Sequence, residues 1–396
     1  MIRRHLRGVL VQQACSNPVV TLVGPRQSGK TTLVRDAFPD HEYVSLERPD
    51  RRSAARSDPL GFLASLRGNA ILDEVQKVPE ILSYIQVSVD EDDRPGRFIL
   101  TGSQNLLLMQ NVSQTLAGRT SVLKLLPLSL TELLAREPID PAHLPDLEAG
   151  SSPHGKLWDA VFKGFFPRIH DKALDPTRWL ADYHRTYVDR DLRDVLRVMD
   201  LDAFERFVRL CAARTATELN LSSLAEDAGI SQPTAKQWLT ALRIGSLVIL
   251  LQPHHQSYRK RLRKRPKLHF LDPGLVCYLL GIEDANTLEN HPLRGAVFES
   301  YVVSELIKAY EHAGREPRLF HWRDATGHEV DVIIDTGSML LPVEIKSGMT
   351  VTKDTLKALK WWMNLEGNAN FSGIVVHGGI DHQRRSGISV LPWFIH

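Results

Sequence analysis

The chain has 396 residues, too many for one hydrophobic core, so two to four domains are expected. Its 43% hydrophobic and 24% charged residues are the mix of a globular protein and exclude wholesale disorder. A formal net charge of +2 excludes a global electrostatic field, so any nucleic-acid contact must come from a local basic patch.

Cys15, Cys211 and Cys277 are odd in number, far apart and free of any CxxC pair. That argues against a disulfide framework or a zinc site and fits a reducing cytoplasm. The start, "MIRRHLRGVLVQQ", is basic like a signal peptide, but its apolar run is cut off by two glutamines. No eighteen apolar residues stand together, so no membrane span is expected and the chain reads as cytoplasmic.

From Val19 to about Thr131, the runs "PVVTLVG", "EYVSLE", "NAILDEV" and "GRFILTGS" read as buried strands between helical stretches, hence a parallel sheet with crossover helices. The first strand runs into "GPRQSGKT", which matches G-x-x-x-x-G-K-[ST] and is followed by a helix. Gly24, Pro25, Arg26, Gln27, Ser28 and Gly29 would wrap backbone N–H groups around a nucleotide phosphate, with Thr32 following. Lys30 would meet the β and γ oxygens, and the Thr31 hydroxyl would ligate Mg²⁺. In "AILDEVQ" the strand-end acids divide the work: Asp73 holds the Mg²⁺ shell and Glu74 polarises the attacking water. Thr101, Ser103 and Gln104, at the end of "FILTGSQN", are candidates for sensing the γ-phosphate. Arg119 in "LAGRT" is a candidate to stabilise transition-state charge, in cis or from a neighbouring subunit of a homo-oligomer.

"REPIDPAHLPDLEAGSSPHG" lacks any period and reads as a linker. The middle of the chain is then helical. "LSSLAEDAGISQPTAKQWLTALRIGSLVIL" reads as helix, turn, helix, strand, with Ser231 as N-cap, Pro233 in the first turn and Gly229 at the bend. Ser231, Gln232, Thr234 and Gln237 would face outward from a recognition helix. Where a winged helix has its wing, "SYRKRLRKRPKLHF" carries Arg259, Lys260, Arg261, Arg263, Lys264, Arg265 and Lys267, a run able to neutralise several phosphates.

The last third is a further α/β unit. Glu299 lies on a long helix, Asp331 inside the apolar strand "EVDVII", and Glu344 and Lys346 in "VEIKSG". Period-two geometry points Glu344 and Lys346 to one side, facing the aspartate. Asp331, Glu344 and the intervening backbone carbonyl suit Mg²⁺ or Mn²⁺, and Lys346 would orient or deprotonate a water.

Taken together, "GPRQSGKTTL", "ILDEVQ", "LTGSQ", "LAGR", "LPLSLTEL", "KGFFPRI", "LDPGL", "FESYVVSEL", "HWRDATGHEVDVII" and "VEIKSG" resemble a family of prokaryotic AAA+-like P-loop ATPases whose C-terminal domain, of unknown function, is similar to PD-(D/E)XK nucleases. The resemblance implies an α/β multidomain chain. A P-loop ATPase domain (1–135) would be followed by a linker (136–155), a helical region (156–204), a winged-helix region with a basic wing (205–284) and a restriction-endonuclease-like domain (285–396). It also implies ATP and Mg²⁺ at Lys30, Thr31, Asp73 and Glu74, and a second metal site at Asp331 and Glu344 with Glu299 and Lys346. The function expected is Mg²⁺-dependent ATP hydrolysis coupled to DNA binding and metal-dependent DNA cleavage. The alternative is an ATP-driven DNA-binding or signalling switch in which the nuclease fold is inactive.

Overall fold

The computed structural model describes residues 2–103, 112, 114–147, 155–186, 200–254, 265–324, 326–365, 372–385 and 387–394. Two compact units emerge: one of residues 1–128, 244–246 and 311–315, the other of 129–243, 247–310 and 316–396.

The first unit begins with α1 (Leu6–Ala14), β1 (Val19–Gly24) and α2 (Lys30–Ala37). Then come β2 (Glu42–Ser45), β3 (Ala70–Asp73), α3 (Ile81–Glu91), β4 (Phe98–Ser103) and β5 (Thr120–Lys124). The five strands are all parallel, in the order β2-β3-β4-β1-β5. Alternation sends Val19, Val23, Leu72 and Leu100 to one face, against Ile81 and Ile85 of α3. Val20, Leu22, Ile71 and Ile99 go to the other, against Leu6 and Leu10 of α1 and Leu33 of α2. With both faces covered, these strands had to be continuous apolar runs, which is why their sequence signal is strong. The carboxyl ends of β1, β3 and β4 lie together, Gly24 beside Ser103, and that edge is where a parallel sheet binds its ligand.

In the second unit, α4 (Leu157–Lys163), α5 (Pro176–Tyr183) and α6 (Leu201–Ala213) precede a two-residue strand, β6 (Thr217–Glu218). Next are α7 (Leu221–Ala228), α8 (Gln232–Ile244), β7 (Val248–Pro253) and β8 (Lys267–Phe270). Asn220 caps α7 and a left-handed Gly229 ends it. The Ser231 hydroxyl accepts from Thr234 N–H at 3.2 Å to start α8, and Trp238 of α8 packs edge-on to Phe204 and Phe207 of α6. After α9 (Pro273–Leu279) and the long α10 (Arg294–Glu311) come β9 (Leu319–Arg323), β10 (Glu329–Asp335), β11 (Leu340–Lys346), α11 (Thr355–Met363), β12 (Gly373–His377), β13 (Gln383–Arg385) and β14 (Ile388–Pro392).

These strands form one nine-stranded sheet, β13-β14-β12-β11-β10-β9-β7-β8-β6. The parallel pairing of β7 with β9 at Gln252–Phe320 and Pro253–His321 joins the stretches expected as separate domains, 205–284 and 285–396. Within the expected linker, Pro141–Asp146 is a short 3₁₀ turn, and Ser389 Oγ donates to the Pro145 carbonyl at 2.9 Å. Among the described residues no helix is long and apolar enough to cross a membrane.

Candidate functional sites

The loop after β1 is shaped by its glycines. A Cβ on Gly24 would lie 2.1 Å from the Leu125 carbonyl oxygen, so only glycine lets the chain pass there. Gln27 and Gly29 are left-handed, with φ of 63° and 93°, the alternation that turns successive N–H groups inward as an anion nest. Ser28 Oγ is buried without a hydrogen-bond partner among the described residues. An unsatisfied hydroxyl in such a cradle fits a phosphate oxygen.

Lys30, the first residue of α2, is buried, and its Nζ donates to the Gly24 and Pro25 carbonyls at 3.1 and 2.9 Å. Burial pulls its pKa down to about 8, against the pull of Glu74 and Asp73 in the other direction. Asp73 ends β3 as the hub of the site. It accepts from Thr31 Oγ1 at 3.0 Å, from Tyr43 Oη at 2.7 Å and from Thr101 Oγ1. Burial and then the Asp73 bond raise Tyr43 to about 12, so Tyr43 remains a donor. Thr31 and Asp73, hard oxygen donors in contact, are the residues that would hold Mg²⁺, whose chemistry there is to neutralise charge on the β and γ oxygens. Glu74 follows in a left-handed conformation, φ 60°, with burial raising its carboxyl and Gln76 Nε2 bonded to it.

Two participants were not anticipated. Tyr43 sits on the neighbouring strand with no motif around it. Arg4, in the basic start that resembles a leader, is buried and donates to the Ser28 and Leu126 carbonyls at 2.6 and 2.7 Å, bracing the phosphate loop.

Arg119 is a correction. Its carbonyl accepts from Val19 N–H, at the amino end of β1, whereas the phosphate loop leaves the carboxyl end, roughly 16 Å away along the strand. Its guanidinium makes a two-pronged pair with Asp90 at 2.5 and 2.9 Å. A role in cis is therefore ruled out by strand register. Of the sensor candidates, Thr101 reaches Asp73; Ser103 closes β4 beside Gly24, and Gln104 lies outside the described residues.

In the second unit, Glu299, Asp331, Glu344 and Lys346 come together. The register of β10 and β11 pairs Val332 with Val343, so Asp331 and Glu344 are the next facing positions. On the other side of β10, its pairing with β9 shifts register between Val330 and Ile333, beside Asp331. Asp331 Oδ2 accepts from Ile345 N–H at 2.8 Å. Lys346 Nζ lies 2.6 Å from Glu344 Oε1 and 3.8 Å from Asp331 Oδ2.

A second cation completes the cluster. Lys267 Nζ is 3.0 Å from Glu299 Oε1 and 3.7 Å from Asp331 Oδ1, and contacts Glu329 Oε1. Lys267 is 3% exposed, so it is a buried counter-charge and not the phosphate contact expected from the basic run. Glu329 was missed; its place two residues before Asp331 on the same strand was the available signal.

Burial and then the Asp331 charge push the Glu299 and Glu344 carboxyls well above the usual range, against the opposing pull of Lys267 and Lys346 respectively. Burial would deprotonate Lys267, but Glu299, Asp331 and Glu329 outweigh it and hold the ammonium. Lys346 is likewise held protonated, by Asp331 and Glu344 against burial. With its charge held in this way, Lys346 can donate a hydrogen bond that orients a water. Among the described residues no three His, Cys, Asp or Glu side chains gather as a metal-ligand group. Glu344 Oε2, however, is buried without a hydrogen-bond partner among the described residues, a hard-oxygen acceptor that suits Mg²⁺ or Mn²⁺.

Of the nucleic-acid candidates, Ser231, Gln232 and Gln237 are exposed and Thr234 is half-buried at the start of α8. Arg265 is exposed; Arg259, Lys260, Arg261, Arg263 and Lys264 lie outside the described residues. The motifs "KGFFPRI" and "LDPGL" meet as a packing joint. Asp272 accepts from Phe165 N–H at 2.7 Å, and a Cβ on Gly274 would strike Gly164 at 2.8 Å.

Comparison with known proteins bears on these sites. The family model "AAA domain" matches residues 16–134, a domain of unknown function (DUF8612) matches 154–286, and another (DUF4143) matches 294–395. The uncharacterized proteins Rv2008c of Mycobacterium tuberculosis and Mb2031c of Mycobacterium bovis are each 30% identical over 336 residues, 84% of this chain and 71% of theirs. The chain belongs to their family. Its N-terminal domain is an AAA-type P-loop ATPase domain. Among solved structures, the Walker-type ATPase PABY2304 of Pyrococcus abyssi is 14% identical, with TM-score 0.41 over 69% of this chain and 94% of that one. A point variant of RuvB from Thermotoga maritima is 19% identical, with TM-score 0.31 over 66% and 89%. Lys267 comes from the stretch that matches DUF8612 and its acidic partners from DUF4143, so two domains of this family meet in one cluster.

Proposed function

We propose that the protein couples Mg²⁺-dependent ATP hydrolysis to DNA binding and to metal-dependent cleavage of DNA by its C-terminal domain. The single observation that carries the cleavage reading is the grouping of Asp331, Glu344 and Lys346 on adjacent strands, with one carboxylate oxygen buried and unsatisfied. The element order α10-β9-β10-β11-α11-β12 supports a restriction-endonuclease-like fold, and α6-β6-α7-α8-β7-β8 supports a winged helix whose helix α8 faces DNA. In this reading Asp331 and Glu344 hold a divalent ion, which supplies Lewis-acid activation of a phosphodiester and of water. The Lys346 ammonium steadies charge developing on the phosphate. In the ATPase domain, Lys30 and the loop N–H groups bind the phosphates, while Glu74 orients the attacking water.

A second reading is favoured by the Lys267 ion pairs, which satisfy much of the acidic cluster internally: the C-terminal domain grips DNA without cutting, and ATP turnover switches the grip. The test is incubation of the full chain with supercoiled and linear DNA, with and without ATP, in Mg²⁺ and in Mn²⁺, beside Glu344→Ala. Nicking abolished by Glu344→Ala bears out cleavage; retarded migration without nicking leaves the switch; nicking that survives Glu344→Ala rejects the site.

A further inference from the structure

Resting on the metal reading above, we propose that Lys267 takes the place of a second cation, so that the C-terminal site accepts one divalent ion, at Asp331 and Glu344, and none at Glu299 and Glu329.

Three observations carry this. An ammonium has three N–H donors, and Lys267 Nζ faces three carboxylates, those of Glu299, Glu329 and Asp331. At that end of the cluster one ammonium lies within ion-pair reach of all three carboxylates. At the other end Glu344 Oε2 is buried with no hydrogen-bond partner among the described residues, at the position facing Asp331 across the strand pair.

Among the described residues Lys267 ion-pairs with Glu299, Glu329 and Asp331, and Lys346 with Asp331 and Glu344, so one divalent ion at Asp331 and Glu344 leaves the Lys267 pairs with Glu299 and Glu329 in place. A second such ion would have to displace a buried ammonium and leave it without a partner, a costly exchange.

The position of the ammonium is also fixed by backbone. Lys267 opens β8 and is paired on one side with Glu218 of β6 and on the other with Leu251 of β7. A lysine held in the middle of three strands delivers its charge to one place, as a bound metal would, and does so without depending on solution metal.

The experiment is Mn²⁺ binding to the full chain without nucleotide, followed by the EPR signal of free Mn²⁺, counting the equivalents that disappear when Glu344 and Glu299 are both replaced by alanine. The wild type is expected to bind one equivalent at this site and Lys267→Met two, with Lys267→Arg returning to one. If Lys267→Met is unstable without metal, its melting temperature should rise with Mn²⁺ by more than that of the wild type. One equivalent in both proteins, or an equal rise in melting temperature, overturns the role of Lys267 and leaves the metal site standing. No equivalent in the wild type overturns the metal site itself, and this inference with it.

Discussion

The two sites are built from the same pieces, carboxylates and a lysine at strand ends, and they handle buried charge in opposite ways. Asp73 is surrounded by neutral hydroxyls from Thr31, Tyr43 and Thr101, while Lys30 rests on backbone carbonyls and is pulled toward neutrality by burial. In the C-terminal cluster every carboxylate touches an ammonium, and the lysines are held charged. The difference teaches where each site can give. The first holds its charge at a cost to the fold and recovers it from a polyphosphate ligand. The second has already neutralised most of its charge by itself.

That contrast breaks if two lysine replacements act alike on stability. Lys267→Met leaves Glu299, Glu329 and Asp331 facing one another and should cost about 3–5 kcal/mol of unfolding free energy at neutral pH, measured by urea titration. The loss should shrink as pH falls. Carboxyls already raised by burial take up protons in the folded chain before they do in the unfolded one, so acid favours the fold. Lys30→Met should instead leave stability unchanged or raise it by up to about 3 kcal/mol, because a lysine whose pKa falls to about 8 loses more by burial than its contacts return.

The next effect is on binding. Arg4→Met removes the brace on the Ser28 carbonyl and should weaken ATP binding about tenfold, read with a fluorescent nucleotide. Affinity should also fall by up to about tenfold per pH unit above about pH 8, as Lys30 loses its proton. A flat pH profile would mean that Lys30 does not meet phosphate as an ammonium. The smallest effect is expected of Arg119→Ala: ATP turnover should change less than about twofold, because its guanidinium lies at the wrong end of β1. A large loss would place Arg119 in the site of a neighbouring subunit.

The ATPase domain was legible because its signals are contiguous. Buried parallel strands are unbroken apolar runs, and the phosphate loop is eight consecutive residues whose spacing is dictated by backbone geometry. Tyr43 and Arg4 were not legible, since each acts through long-range hydrogen bonds that leave no local pattern. The C-terminal cluster was legible in part: alternation gave Glu344 and Lys346, while the bulge beside Asp331 and the arrival of Lys267 depend on strand register. The basic run illustrates the limit. Lys267 shares its composition with Arg265, yet the strand begins at Lys267 and carries that charge inward. The pairing of β7 with β9, between the stretches expected as winged-helix and C-terminal domains, leaves no mark in the order of the elements.

The measurement that tests the central claim most directly is steady-state phosphate release from Mg²⁺-ATP by the full chain, beside Lys30→Met and Glu74→Gln. The account predicts turnover by the wild type and a loss of at least about 100-fold in each variant, with nucleotide binding retained in Glu74→Gln. Turnover undiminished in both variants would contradict it.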